Sequence, residues 1–264
     1  MSDPWNVAQY ERFKQERAQP YFDLLALLKP RPNARVIDLG CGTGELTREL
    51  HRSVGARQTL GVDNSDAMLK ESARFAGEGL EFAKADIGSF EDSIAWRMNN
   101  GQPFDVVFSN AALHWLDHHE QLFPRLWRML APGGQLAVQM PMNHDYPSHT
   151  VAEEVAARAP FAAALKGYVR KSPVLAPEVY AHMLYRLGAK EQVVQMRVYG
   201  HVLDSSAGVV EWVKGTLLTD YEKRLSPEVF SKFLAEYRHE LAARLGDERP
   251  FFYPFKRLLF WARA

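Results

Sequence analysis

The sequence predicts an α/β fold, a parallel sheet covered by helices on both faces. Three observations carry that expectation. Between residues 35 and 140 short apolar runs alternate with stretches of helical periodicity. The first run passes straight into a loop with glycine at alternate positions, and a helix begins at once. After a proline-rich interruption, strand-like runs return at 191–199 and 254–262.

Taken in order, the stretch 6–28 reads as helical. Val7, Tyr10, Phe13 and Arg17 recur at helical spacing, and Pro20 opens a second helix with Leu24, Leu25, Leu27 and Leu28 as its apolar residues. Lys29-Pro30-Arg31-Pro32 stops it, because proline cannot continue a helix and restricts its predecessor. A strand over 35–39 leads to a helix over 44–53, and a strand over 58–62 to a helix over 65–75 with Ser65 as N-cap. Short strands follow at 80–83 and 104–109. A helix over 120–130 ends at Pro132-Gly133-Gly134, before a strand at 135–140. Residues 141–187 hold five prolines and helical stretches near 150–165 and 178–187. Residues 205–246 are mostly helical, with Ser226-Pro227-Glu228 as a helix opening.

Composition narrows the function. The chain has 264 residues, with 32 Lys+Arg against 32 Asp+Glu. A balanced charge removes the electrostatic argument for nucleic acid and for anionic membranes, both of which call for a basic excess. A single cysteine, Cys41, permits neither an intrachain disulfide nor a cysteine-based metal cluster. No apolar run approaches the ~18–20 residues of a membrane span, and the start lacks the apolar core of a secretory signal. The expectation is a cytoplasmic protein. Its sheet segments amount to one ordinary domain, so a single domain is expected, with helical substrate-cap insertions at 141–187 and 200–253.

The most informative stretch is Val36-Ile37-Asp38-Leu39-Gly40-Cys41-Gly42-Thr43-Gly44-Glu45-Leu46. Glycine is needed where a chain turns sharply or where backbone must approach a ligand with no Cβ between them. At the head of a parallel sheet, such a loop is where mononucleotide-like ligands bind. A dinucleotide fingerprint reads G-x-G-x-x-G, but the sixth position here is Glu45. A pyrophosphate on a helix N-terminus wants positive potential. Here Asp38 and Glu45 flank the ligand position instead, which suits a ligand with cationic groups, an ammonium and a sulfonium. The second strand ends Gly61-Val62-Asp63-Asn64-Ser65, and a carboxylate at Asp63 can accept both hydrogen bonds of a ribose diol. The third ends Ala85-Asp86-Ile87. An acid beside an aliphatic residue can accept from an adenine amino group while the aliphatic side chain covers the ring, although Asp86 alone reads equally as a turn residue.

These motifs resemble a known set. VIDLGCGTG, GVDNS, ADI and FDVVFSNAALHWL are similar, in order and spacing, to those of class I S-adenosylmethionine-dependent methyltransferases. The resemblance extends to the trans-aconitate 2-methyltransferase family through W-N-x3-Y-x2-F-x3-R (Trp5, Asn6, Tyr10, Phe13, Arg17), SNAALHWLDHH at 109–119, LAVQMP at 136–141, VVEWVKGTLL at 209–218 and FKRLLFWA at 255–262. Residues 144–180 match only loosely. The resemblance implies a Rossmann-like, doubly wound, seven-stranded sheet, mostly parallel with an antiparallel last strand. It implies S-adenosylmethionine as cofactor, with Gly40, Gly42 and Gly44 beside its amino acid part and Asp38 near its ammonium. Asp63 would hold the ribose, Asn64 and Met68 would border the adenine, and Asp86 with Ile87 would read its edge. Asn110 and Ala111 would face the methionine moiety, and Tyr10 and Arg17 would close over the cofactor and its carboxylate. Tyr10 and Phe13 read equally as the packing face of an amphipathic helix.

The implied reaction is methyl transfer to a carboxylate of a small acid such as trans-aconitate, giving the monomethyl ester and S-adenosylhomocysteine. A carboxylate with a pKa near ~4 is already ionised at pH 7. No general base and no catalytic residue are therefore expected. Holding oxygen, carbon and sulfur in line can supply up to ~7–11 kcal/mol in favourable cases. A cation and an anion combine to give neutral groups, so excluding water helps, and an aromatic-rich lid fits. His114 and Trp115 follow the fourth strand at the usual mouth of such a site, though both read equally as loop packing. Tyr199, Trp212, Tyr221 and Tyr253 fall in or beside the insertions, and a minority of them is expected to touch substrate. Arg257 on the last strand and Arg197 on the sixth are candidate anchors, because guanidinium pairs bidentately with carboxylate. The nine histidines show no metal spacing, no metal is expected, and His118-His119 reads as surface. The alternative is a small-molecule methyltransferase of the same fold acting on another hydroxyl, amine or acid. A nicotinamide oxidoreductase is opposed by Glu45 and by the lack of a hydride-transfer pair. The expected assembly is a monomer or weak homodimer.

Overall fold

The computed structural model describes residues 14–92 and 101–264. Tyr10 lies outside the described residues, and so does the side chain of Arg17. The strands are β1 (Arg35–Leu39), β2 (Gln58–Asp63), β3 (Leu80–Lys84), β4 (Phe104–Asn110), β5 (Leu130–Pro141), β6 (Glu191–Leu203) and β7 (Phe251–Arg263). The α-helices among the described residues are α1 (Lys14–Leu25), α2 (Glu45–Ser53), α3 (Asp66–Ser72), α4 (His119–Arg128), α5 (Pro147–Ala156), α6 (Phe161–Ala164), α7 (Pro177–Arg186), α8 (Gly208–Lys214), α9 (Thr219–Glu222) and α10 (Pro227–Leu245). None is long and apolar enough to cross a membrane.

The strands form one sheet in the order β3-β2-β1-β4-β5-β7-β6. Neighbours from β3 to β5 pair in parallel, and β7 runs antiparallel to β5 on one side and β6 on the other. The sheet is therefore the doubly wound, seven-stranded arrangement expected, with only the last strand reversed. Chain direction across the sheet switches between β1 and β4. Loops leaving those two strands diverge there and open a crevice at the strands' C-terminal ends. β1 and β4 are buried nearly throughout, as short apolar runs covered on both faces must be.

One face packs on α4 and α7, where Tyr180 sits between Phe123 and Phe260 at ring separations of 5.3 and 5.2 Å. The other packs on α1 and α2, with Tyr21, Leu24 and Leu50 against Val36, Val106 and Phe108. A third apolar cluster lies among α5, α6, α8, α9 and α10 and the first half of β7. It takes up much of the aromatic surplus, including Trp212, Tyr221, Phe233, Tyr237 and Tyr253.

Four local expectations change. Pro20 does not open a helix but lies inside α1, where the buried Tyr21 and Leu24 hold the helix to the sheet and outweigh proline's cost. Pro132-Gly133-Gly134 does not lie outside the strand. β5 begins at Leu130, and the ladder shifts register between Phe104 and Val106 to let these residues bulge. Within 141–187 the helices divide, since α5 and α6 join the third cluster while α7 packs on the sheet next to β6. His119 is buried rather than surface, its ring nitrogens paired with the Tyr180 hydroxyl at 2.5 Å and the Leu113 carbonyl at 3.0 Å.

Candidate active site

The crevice is shaped first by the glycine loop. Gly40 has φ +82° and donates its N–H to Val62 O at 2.8 Å; a Cβ there would stand 2.2 Å from that of Ala112. Only glycine lets the loops after β1 and β4 approach so closely. Gly44 serves packing instead. At φ +76° it would bring a Cβ within 2.7 Å of Ser72 and Phe82, and it does not line the crevice as expected. Glu45 opens α2 and does not line it either, so Asp38 alone of the two flanking acids faces the ligand space.

That space is a cleft of about 290 Å³. Gly40 and Gly42 line it with Asp38 at one end, while Asp63, Asn64 and Met68 line it from the end of β2 and the start of α3. Asp86 and Ile87 follow β3, and Asn110 and Ala111 follow β4. Asp63 is held by two backbone donors, Gly42 N at 3.0 Å and Ser65 N at 2.9 Å. Asp86 proves to be both a turn residue and a wall residue, accepting from Gly88 N at 2.9 Å while lining the cleft. Ser65 caps α3 as anticipated, accepting from Met68 N at 3.2 Å. Asp38 is 4% exposed and accepts from the Thr47 hydroxyl at 2.7 Å. Burial pushes its carboxyl up to about 7, with the Thr47 hydrogen bond opposing and the Asp63 charge adding to the rise. From the far side Thr219, Asp220 and Lys223 of the helical layer reach the same cleft.

A second cavity of about 120 Å³ adjoins the first and shares Asn110, Ala111 and Trp115 with it. Ala111 has φ +53°, a left-handed conformation that costs a non-glycine residue on the order of 1–3 kcal/mol and gathers at functional sites. Asn110 Oδ1 in this wall is buried with no partner among the described residues. His114, Trp115 and Arg257, named from the sequence, all line the second cavity, and of the four cap aromatics Trp212 does so. Tyr221 and Tyr253 are buried in the third cluster instead. The prediction for Arg197 and Tyr199 is corrected. Neither lines either cavity; both engage Asp23 of α1, at 2.9 and 2.7 Å, and tie that helix to β6.

Residues missed in the sequence are Arg170, Asn143, His149 and Glu153. They come from loops and α5 within the proline-broken stretch, where no periodicity marks a functional face. Arg170 donates to Asp220 at 2.5 Å and lies 4.5 Å over the Trp115 ring. Burial, then the charges of Arg170 and Arg257, hold His114 well below the usual imidazole range. Burial and Arg170 likewise bring His149 down to about 3. Both rings are neutral at pH 7.

The two cavities differ in polarity. The larger has four carboxylates, of Asp38, Asp63, Asp86 and Asp220, against Lys223. The smaller has two guanidiniums, of Arg170 and Arg257, against Glu153, whose charge is met by Lys171 at 2.6 Å. An acid-lined cleft thus adjoins a cation-lined pocket at Asn110, Ala111 and Trp115, which line both.

A sequence profile described as a methyltransferase domain matches residues 36–134. A trans-aconitate 2-methyltransferase of Deinococcus radiodurans is 42% identical over 264 residues, spanning 98% of this chain and 97% of its own. One of Methylobacterium nodulans is 40% identical over 263 residues and spans 98% of each. Among solved structures, the YcgJ protein of Bacillus subtilis gives a TM-score of 0.57 at 15% identity, spanning 93% of this chain and 98% of its own. Phosphoethanolamine N-methyltransferase 2 of Haemonchus contortus, in complex with phosphomonomethylethanolamine and S-adenosylhomocysteine, gives 0.56 at 17% identity over 98% of this chain and 57% of its own. The structural likenesses bear on the fold, and the sequence relatives on the family. The chain belongs to the trans-aconitate 2-methyltransferase family and is an S-adenosylmethionine-dependent methyltransferase.

Proposed function

We propose that this enzyme esterifies one carboxylate of a small polycarboxylic acid, trans-aconitate or a close analogue. The observation that carries the reading is the pairing of adjoining cavities, one acidic and one basic, that share Asn110, Ala111 and Trp115. A cationic cofactor suits the first and an anionic acceptor the second.

The residues of the cleft fit S-adenosylmethionine. Three carboxylates at or just past strand ends, a glycine loop that lets backbone approach closely and an orphaned amide oxygen at Asn110 supply acceptors. Asp63 would accept from the ribose hydroxyls, Asp86 with Ile87 and Met68 would frame the adenine, and Asp38 would face the ammonium. When bound, the cofactor supplies an electrophilic methyl group on sulfur, which a carboxylate oxygen accepts as the C–S electron pair stays on sulfur.

The chain's own contribution is placement. Arg257 anchors the acid from the sheet, and the neutral His114 can donate a hydrogen bond to a carboxylate without adding charge. Trp115 and Trp212 wall the pocket with apolar surface, which strengthens the charge interactions inside it. No residue needs to remove a proton, because the acceptor is already ionised.

The reading is tested by incubating the full chain and methyl-labelled S-adenosylmethionine with tri- and dicarboxylates, and separately with amines and alcohols. Base-labile label on the polycarboxylates is the expected result. Label only on an amine or alcohol overturns the reading and leaves a methyltransferase of another acceptor class.

A further inference from the structure

We propose that Arg170 is a second anion anchor of the acid pocket, and that it selects acids carrying a carboxylate beyond the one that is methylated. The inference rests on the esterification reading above.

Arg170 lies in the loop between α6 and α7, and its side chain is only 15% exposed. Three contacts fix its position. Its backbone N–H donates to the Tyr221 hydroxyl at 3.2 Å, its Nη1 donates to Asp220 at 2.5 Å, and its guanidinium lies over Trp115. Asp220 lines the cofactor cleft and not the acid pocket, so the carboxylate that orients Arg170 does not occupy the space that the acid would take. A guanidinium carries five donors, and Asp220 accepts from one nitrogen, which leaves a fork for a ligand carboxylate.

Arg257 enters the same pocket from β7, where it stands in register with Pro141 at the end of β5. Two cations therefore reach one cavity from separate elements, one from the sheet and one from the helical layer. An acid with several carboxylates can satisfy both. A monocarboxylate can engage only one of them and gives up the charge-assisted hydrogen bonds of the other, which favours the polycarboxylate. Because Asp220 and Trp115 both border the cofactor cleft, the position of Arg170 is set from the side where the methyl donor lies.

The test compares kcat and KM of the full-length enzyme, Arg170→Met and Arg170→Lys with a tricarboxylate, a dicarboxylate and a monocarboxylate of similar carbon skeleton. Arg170→Met is expected to lose about 100-fold in kcat/KM toward the tricarboxylate, mainly through KM, as when one partner of a buried charge pair is removed. The monocarboxylate should lose far less, so the selectivity collapses. Arg170→Lys should retain part of it, a point charge replacing the bidentate fork. Equal losses on all three acids, or no loss, overturn the proposal, since a wall residue would not discriminate by charge. Calorimetry with S-adenosylhomocysteine shows whether Arg170→Met keeps an intact cleft. If it does not, the tri- to monocarboxylate ratio of Arg170→Lys decides, and an unchanged ratio overturns the proposal. A wild-type enzyme that binds S-adenosylhomocysteine but esterifies no acid overturns the function reading itself. One that esterifies the tricarboxylate while both variants keep its selectivity overturns only the role of Arg170.

Discussion

Burial pushes the Asp38 carboxyl up to about 7, against the pull of the Thr47 hydroxyl and with help from the Asp63 charge. A cationic ligand beside it favours the ionised form and must displace the proton. Below pH 7 the free protein holds that proton and pays to release it, so affinity for S-adenosylmethionine should rise with pH up to about 7 and level off above. Calorimetry in buffers of different ionisation enthalpy should detect proton release in the wild type and none in Asp38→Asn. Asp63 tests the same cleft from the end of β2. It orders Gly42 and Ser65 through their backbone N–H groups and faces the ligand space. Replacing it with alanine should weaken S-adenosylhomocysteine binding by about 10–100-fold, the worth of charge-assisted hydrogen bonds, while the protein stays folded by circular dichroism. Both aspartates were legible in the sequence because each ends a strand run at a motif position. Gly44 was misjudged because a glycine against a helix and a glycine against a ligand look alike in sequence.

Among the elements, α1 shows how a charged residue can be misread. Arg197 and Tyr199 looked like substrate contacts because they lie on the sixth strand beside an insertion, yet both bind Asp23. β6 is an edge strand, and its tie to α1 cannot be inferred from spacing, because Asp23 and Tyr199 are separated by 176 positions. Tyr199→Phe should therefore lower unfolding stability by about 1 kcal/mol in urea titration and leave kcat/KM for the acid unchanged. Strands β1 to β4 were legible to within a residue, since each is a short run rich in apolar residues, whereas the start of β5 was missed by five residues at its proline-glycine bulge. The insertion between β5 and β6 was not. Its prolines mark helix starts at Pro147 and Pro177 but do not say that α7 packs on the sheet while α5 joins the helical layer.

At the scale of the molecule, zero net charge hides two local fields of opposite sign, one in each cavity. Charge balance in the whole chain could not reveal this division, which arises only when strand ends and cap loops are folded together. The cofactor side was legible because its residues follow one another on successive strands. Most of the acid side was not, because Arg170 and His149 come from the loosely matching stretch, Asn143 lies just before it, and all three meet Arg257 only in three dimensions. The central claim is that the two cavities hold cation and anion on either side of Asn110, Ala111 and Trp115. A crystal structure with S-adenosylhomocysteine and trans-aconitate together tests it most directly. The account predicts the thioether in the acid-lined cleft and the acid between Arg170 and Arg257, with one carboxylate turned toward sulfur where the two cavities meet. An acid bound elsewhere, or seated in the pocket with every carboxylate turned away from sulfur, would contradict it.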